Sequence, residues 1–349
     1  MVHRGELRQD SGSCAHHRPW YDIFQGGSLR NYLGLKAHAG NEAARGGQHL
    51  LVTIGGHSGI GRTIGTVDFG PAAGEYDEND LTLDWYDYLF LGKQNQFASG
   101  KPVRIFVMGE NIWRDEEAWP LERAKETRYR LFGLLSANGA NGVSGNGGLL
   151  APGVLTRTSG TPSDTFTYDP ANPVPTVGGP LCCDPMHLAP GARDQKEVEA
   201  RPDVLVYSTP PLDSDLEVTG PVTLDLFASS SAVDTDFTAK LVDVWPNGFA
   251  QNLTEGILRA SYRESTSEAR PIVPGKVYEY KIDLWSTSNV FLKGHQIRLE
   301  VSSSNFPRFD RNLNTGKPAS TDSTFMKATN TILHDAAHPS VLLLPVVPR

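Results

Sequence analysis

Asp22, in Trp20-Tyr21-Asp22-Ile23-Phe24, and His57, in Gly55-Gly56-His57, are the two side chains whose types and surroundings best suit proton transfer. A carboxylate that holds one imidazole nitrogen leaves the other free to deprotonate a hydroxyl nucleophile, as in the last two members of a serine triad. No convincing serine accompanies them. Ser58 comes nearest, in Gly56-His57-Ser58-Gly59-Ile60, but Ile60 stands where a Gly-x-Ser-x-Gly elbow needs its second glycine for a tight strand-to-helix turn.

The elements between the pair must position it. Leu29, Tyr32, Leu33 and Lys36 recur at helical spacing within 28–36, and His49 to Ile54 form a short apolar run closed by two glycines, so the order is helix, then strand. If a strand also precedes Asp22, a right-handed crossover lays the two strands parallel and roughly 4.8 Å apart. Both residues then leave the carboxyl ends of neighbouring strands, where open α/β sheets gather their chemistry. The alternative is a loop Asp and a loop His that only bind water or shape turns. Downstream, Asp80 suits the N-cap of a helix in which Leu81, Trp85, Tyr88 and Leu89 share a face and which ends at Gly92. Val103, Ile105 and Val107 alternate as a strand. The turn Val52 to Arg62 also looks like a dehydrogenase nucleotide loop, but Ile54 interrupts the motif and Thr63, Ile64, Thr66 and Val67 suit the required helix poorly.

Longer blocks carry a resemblance. Trp20 to Phe24, Gly27-Ser28-Leu29-Arg30-Asn31-Tyr32, Asp80 to Leu89, Val103 to Asn111, Asp203 to Tyr207, Asp234 to Leu241 and Ser302 to Asp310 resemble, in order, the CocE/NonD hydrolases. These are acyl esterases related to the Xaa-Pro dipeptidyl-peptidases. The resemblance spans residues 19–349 and implies Asp22 as the acid and His57 as the base, although Thr53-Ile54-Gly55-Gly56 departs from the family's pattern before the histidine. In that family the nucleophile elbow precedes the acid in the chain. Only 21 residues precede Asp22, none resembling the elbow, and Asp10 to Pro19 offer no apolar run. The expected organisation is α/β plus β. Residues 1–18 would be a disordered leader outside the fold, 19–135 the carboxyl-terminal remainder of an α/β-hydrolase domain, and 136–349 a linker and a jelly-roll β-sandwich. The resemblance implies a serine-type acyl hydrolase acting on a small ester or peptide substrate, weak or inactive without the elbow. The competing expectation is a non-catalytic binding or structural module.

The second half supports the sandwich on its own terms. Short strands at 204–207, 222–228, 237–244, 256–262, 277–284, 297–301 and 341–344 alternate with Gly, Pro, Asn and Asp. Residues 136–152 read as a flexible loop and 162–190 as turn-rich. Asp234, Asp236 and Asp243 could supply oxygens to calcium, but turn and surface roles fit them better. Arg308, Asp310 and Arg311 suggest loop ion pairs, and His295 a structural role. Of the three cysteines, Cys14, beside His16 and His17, has only a faint metal-ligand character. Adjacent Cys182 and Cys183 could form a vicinal disulfide or bind metal, but two free loop thiols are expected. No cofactor or resident metal is called for. A net charge of −8 with both signs dispersed argues against nucleic acid, and a homo-oligomer is compatible with the sequence. No signal-type segment or apolar run of about eighteen residues is seen, so a cytoplasmic chain with no membrane partner is expected.

Overall fold

A computed structural model describes residues 12–133, 147–151, 161–184, 188–318 and 320–349. Strand β1 (Cys14–Tyr21) leads into helix α1 (Gln25–His38), the short helix α2 (Glu42–Gly46) and strand β2 (Gln48–Gly56). β1 and β2 are parallel, with Ala15 opposite His49 and Tyr21 opposite Gly56. β2 then turns back into the two-residue strand β3 (Gly59–Ile60). A small hairpin follows, β4 (Thr63–Ile64) with β5 (Val67–Asp68). Helix α3 (Glu78–Leu91) leads to β6 (Val103–Val107), which pairs parallel to β2, and β7 (Ile112–Glu116) closes the sheet antiparallel. The order is β1-β2-β6-β7, with β3 beside β2.

The expected leader is corrected here. Residues 14–18 belong to β1, so the boundary drawn at residue 18 falls inside a strand; residues 1–11 lie outside the described residues. Among the described strands β1 is at the sheet's margin, and its polar residues find local partners instead of forming an apolar run. His16 Nε2 lies 3.0 Å from Gln48 Oε1 and His17 Nε2 lies 3.1 Å from Thr53 Oγ1. Burial lowers the pKa of both rings, which keeps them neutral in the sheet. α3 also starts earlier than its sequence suggests: Asp77, not Asp80, is the N-cap, accepting from Asn79 N at 2.8 Å, while Gly92 closes the helix at φ 62° as expected.

The remaining strands form the sandwich. They are β8 (Lys125–Gly133), β9 (Gly147–Leu150), β10 (Ser163–Tyr168), β11 (Leu205–Ser208), β12 (Leu216–Ser230), β13 (Asp236–Val244), β14 (Ala250–Arg259), β15 (Tyr278–Phe291), β16 (Gln296–Ser302), β17 (Ala328–Leu333) and β18 (Val341–Val347). β12 carries β15 on one edge and, on the other, β18 then β17. From β18 the path runs through β8, β9, β11, β16 and β13 to β14. It folds over until β14 meets β15, where a Cβ on Gly256 would sit 2.0 Å from Asp283 O. Val222, Leu224, Leu226 and Ala228 alternate inward from β12 and join Phe237, Leu241, Tyr280, Ile282, Leu299 and Leu342 in the buried core. Because β8 is an interior strand of this sheet, the domain boundary expected at 135 belongs before Lys125. Most of the loop expected at 136–152 lies outside the described residues, but 147–150 of it is strand β9. Among the described residues no helix is long and apolar enough to cross a membrane.

The outer face of β13 and β16 is charged, yet covered. Lys240 and Glu300 stand opposite each other. Arg298 reaches Glu199 at 2.6 Å and Lys240 donates to Gln195 at 3.0 Å, all five side chains being buried. Burial pushes the Glu300 carboxyl up to about 8, against the opposing pull of Lys240. The folded value therefore exceeds the ordinary 4.5, so between the two the folded chain keeps a proton that the unfolded chain has released. Stability must fall as pH rises through that window. Glu300→Gln, which mimics the protonated form, is expected to flatten this decline. Urea midpoints measured from pH 5 to 8.5 check it, and an unchanged slope would refute the assignment.

Candidate active site

Asp22 follows the last residue of β1, and His57 the last residue of β2. Two parallel strands in register thus deliver both residues to one sheet edge. Asp22 is 5 % exposed, and its Oδ1 accepts from Phe24 N at 2.7 Å while lying 3.4 Å from His57 Nδ1. The carboxylate is therefore fixed by its own turn before it meets the imidazole. His57 side chain is 34 % exposed, and the Phe24 ring packs edge-on against it with centroids 5.1 Å apart. Nδ1 faces Asp22, which leaves Nε2 for a reacting partner.

The loop that aims His57 is a tight hairpin. Gly55 pairs with Ile60 and Gly56 with Gly59, so His57 and Ser58 are the two turn residues. Gly55, at φ 155°, permits this approach: a Cβ there would lie 2.4 Å from Gly59 O. The hairpin settles the status of the two look-alike motifs. The chain turns into a strand after Ser58, not into a helix, so neither a nucleophile elbow nor a dinucleotide turn is formed. Ser58 is simply an exposed turn residue. Among the described residues, the carboxylate of Asp22 is the hydrogen-bond partner of the His57 ring, and no serine hydroxyl is bonded to it.

The sandwich buttresses this edge. Tyr21 is fully buried; its OH donates to Asn252 O at 2.9 Å and accepts from Gln251 Nε2 at 3.2 Å. Gln25 Nε2 donates to Ser286 O at 2.6 Å. Asn252 itself is buried in β14, so Asn252-Leu253-Thr254, which has the Asn-x-Thr pattern of a glycosylation site, offers no accessible acceptor. These tethers had no signal in the sequence, because each joins residues more than two hundred positions apart.

The loop cysteines are a second correction. Cys182 and Cys183 are joined as a vicinal disulfide, not two free thiols. Cys183 takes φ 73°, a conformation local spacing does not announce. Their sulfurs and a His57 ring nitrogen all lie within 4.8 Å of one another.

The other sequence candidates are absorbed by structure. Asp234 accepts from Ser261 N and Asn312 Nδ2, and Asp236 from Arg259 and Asn312. Asp243, at the far end of the same strand, holds His295 Nδ1 at 2.8 Å and accepts from Asn289 at 3.3 Å. Seven residues of strand separate Asp236 from Asp243, roughly 23 Å, so the three carboxylates share no ion. His295 is thus a half-buried structural partner. Arg308 pairs with Glu255 and Arg259 with Asp310 at 3.0 Å, whereas Arg311 donates to Pro170 O at 2.8 Å.

With this geometry in place, the comparisons are specific. Residues 95–343 match the model of the X-Pro dipeptidyl-peptidase C-terminal non-catalytic domain. The chain is 43 % identical over 336 residues to a cocaine esterase of Rhodococcus sp. (strain MB1 Bresler), covering 95 % of this chain and 55 % of that protein. Among solved structures it superposes on an aminopeptidase from a marine sediment Thaumarchaeota archaeon with TM-score 0.83 and 27 % identity, covering 99 % of this chain and 57 % of that one. An α-amino acid ester hydrolase gives 0.81 and 26 %, over 98 % and 57 %. The chain spans a little over half the length of these relatives. A parallel-strand edge bearing an Asp–His pair, a sandwich against it and these matches together place the chain in the CocE/NonD hydrolase family, with the X-Pro dipeptidyl-peptidase C-terminal domain.

Proposed function

We propose that this chain carries the acid and base of a serine-type acyl hydrolase acting on small esters or amides, with β1, β2 and β6 as part of an α/β-hydrolase sheet and the sandwich as a jelly roll. One observation carries the reading: Asp22 and His57 leave adjacent parallel strands with Oδ1 3.4 Å from Nδ1, and no described residue is hydrogen-bonded to Nε2. In this mechanism His57 Nε2 takes the proton of an attacking hydroxyl and returns it to the leaving group. Asp22 holds the Nδ1–H tautomer and stabilises the imidazolium that forms. The relatives' names, cocaine esterase and α-amino acid ester hydrolase, support acyl transfer.

The hydroxyl is the missing partner, since no serine among the described residues is bonded to His57. By itself the chain is expected to hydrolyse p-nitrophenyl acetate at no more than background. The pair can still be tested without turnover. Nitrogen-15 NMR should find His57 as the Nδ1–H tautomer, and Asp22→Asn should shift it toward the Nε2–H form. An unchanged tautomer in Asp22→Asn, or ester turnover lost in Ser58→Ala but kept in His57→Ala, would overturn the assignment. A second reading, a non-catalytic binding or structural module, is favoured by the absence of a bonded hydroxyl and by the description of the domain matched at 95–343. It predicts background turnover too, but no tautomer change.

A further inference from the structure

We propose that the vicinal pair Cys182–Cys183, once reduced, forms with His57 a three-ligand site for a thiophilic divalent cation of the zinc and cadmium class, and that filling it removes the base from catalysis. The cluster is specific in position and in chemistry. The two sulfurs and a ring nitrogen of His57 lie within 4.8 Å of one another, the only such group of three His, Cys, Asp or Glu ligands among the described residues. Two sulfurs and one imidazole are a borderline-soft donor set, suited to zinc or cadmium and ill suited to calcium or magnesium. Ligands around tetrahedral zinc lie roughly 3.3–3.8 Å apart, given bonds of about 2.0–2.3 Å. Seating an ion therefore draws the His57 nitrogen and the sulfurs together by roughly 1 Å and lets the two sulfurs, once their bond is broken, move apart to that spacing, in a loop where Cys182 is half-buried and Cys183 exposed.

Asp22 completes the arrangement. Its Oδ1 faces His57 Nδ1, so the carboxylate orients the ring and presents Nε2 outward, as carboxylates behind metal-bound imidazoles do. The fourth position is left to water. Filling the site requires two steps. A dithiol reductant delivers two electrons and two protons, the Cys182–Cys183 bond breaks and the reductant becomes its own cyclic disulfide. The cation then displaces the two thiol protons, forming two metal–sulfur bonds, while the neutral imidazole lends its Nε2 lone pair. The inhibitory consequence rests on the proposed role of His57. The site itself does not.

Cadmium ion alone is the probe. Protein treated with dithiothreitol and desalted without oxygen should bind one cadmium per chain and show a sulfur-to-cadmium charge-transfer band, whereas the oxidised protein should show neither. Cys182→Ser/Cys183→Ser should abolish the band, Cys14→Ser should keep it, and His57→Asn should weaken binding by at least about tenfold. The band surviving in the double serine variant, equal affinity in His57→Asn, or no binding after reduction would each overturn the proposal. None of these outcomes bears on the tautomer of His57 in the oxidised, metal-free protein, so the two readings can fail separately.

Discussion

Arg298→Met should destabilise the protein by about 3–5 kcal/mol, a large part of the roughly 5–15 kcal/mol that holds a typical domain together. Arg298 is 3 % exposed; its Nη1 donates to Glu199 Oε2 at 2.6 Å and its Nε to Ser208 Oγ at 2.8 Å. Glu199 is 1 % exposed, and among the described residues its other oxygen has no cation bonded to it. Methionine would fill much the same volume but would leave Glu199 buried beside Glu300 with no cation bonded to it. Losing the cation of a buried pair costs more than the pair contributes, because the remaining charge still lacks solvent.

Two comparisons separate that cause from a packing loss. Burial already raises the Glu199 pKa with Arg298 in place. Without the arginine it must rise further, so the folded variant holds a proton over a wider range and its stability falls more steeply with pH. The penalty should therefore be smaller at pH 5 than at pH 8. The double replacement Arg298→Met/Glu199→Leu, which removes both charges, should regain most of the loss. Urea midpoints for the three proteins at both pH values decide the matter. A single variant as stable as the parent, or a double variant no better than the single, would refute this account.

That network also marks where the sequence was legible and where it was not. β13 and β16 are legible as short strands bounded by turn residues, but nothing in that spacing says that Lys240, Arg298 and Glu300 are buried. Gln195 and Glu199 meet Lys240 and Arg298 on that face, a long-range event that periodicity cannot express. β1 was missed for the opposite reason: a polar strand at the sheet margin satisfies its groups through Gln48 and Thr53 and never shows an apolar run. β8, with Tyr129, Leu131 and Gly133 inward and charges outward, did carry a period of two, but it lies next to the loop region and before the expected boundary. Asp22 and His57 could be placed because a strand, helix, strand unit forces its geometry once its elements are recognised. The vicinal disulfide could not, because adjacency alone does not separate a bond from two free thiols.

Gly109→Ala should produce the other large effect, about 2–5 kcal/mol, and should produce it unevenly. Gly109 has φ 84°, where any Cβ adds about 1–2 kcal/mol. Here the Cβ would also lie 2.1 Å from Val290 O and 3.0 Å from its carbonyl carbon, backbone atoms that cannot rotate away. Moving packed backbone adds roughly 1–3 kcal/mol. The control is Gly92→Ala, at φ 62° with nothing within 4 Å of its added Cβ, which carries the conformational cost without the collision. What distinguishes Gly109 is its location. The neighbouring Met108 receives Val290 N at 2.8 Å and donates to Ser288 O at 3.0 Å, joining the end of β6 to β15. With the Tyr21 and Gln25 tethers, this seam fixes the strand ends that carry Asp22 and His57 against the sandwich. Opening it should free the smaller sheet first, because β12 keeps its ladders to β15, β17 and β18, although one buried cluster runs from Ile105 and Met108 into Leu224, Phe237 and Ile282. Hydrogen exchange should therefore show amides of β2 and β6 losing protection in Gly109→Ala while those of β12 keep theirs. The Asp22–His57 contact should loosen in step, moving the His57 tautomer as Asp22→Asn does. Equal loss of protection in both sheets would mean that the two halves unfold as one unit and that the seam does not set the site's geometry separately.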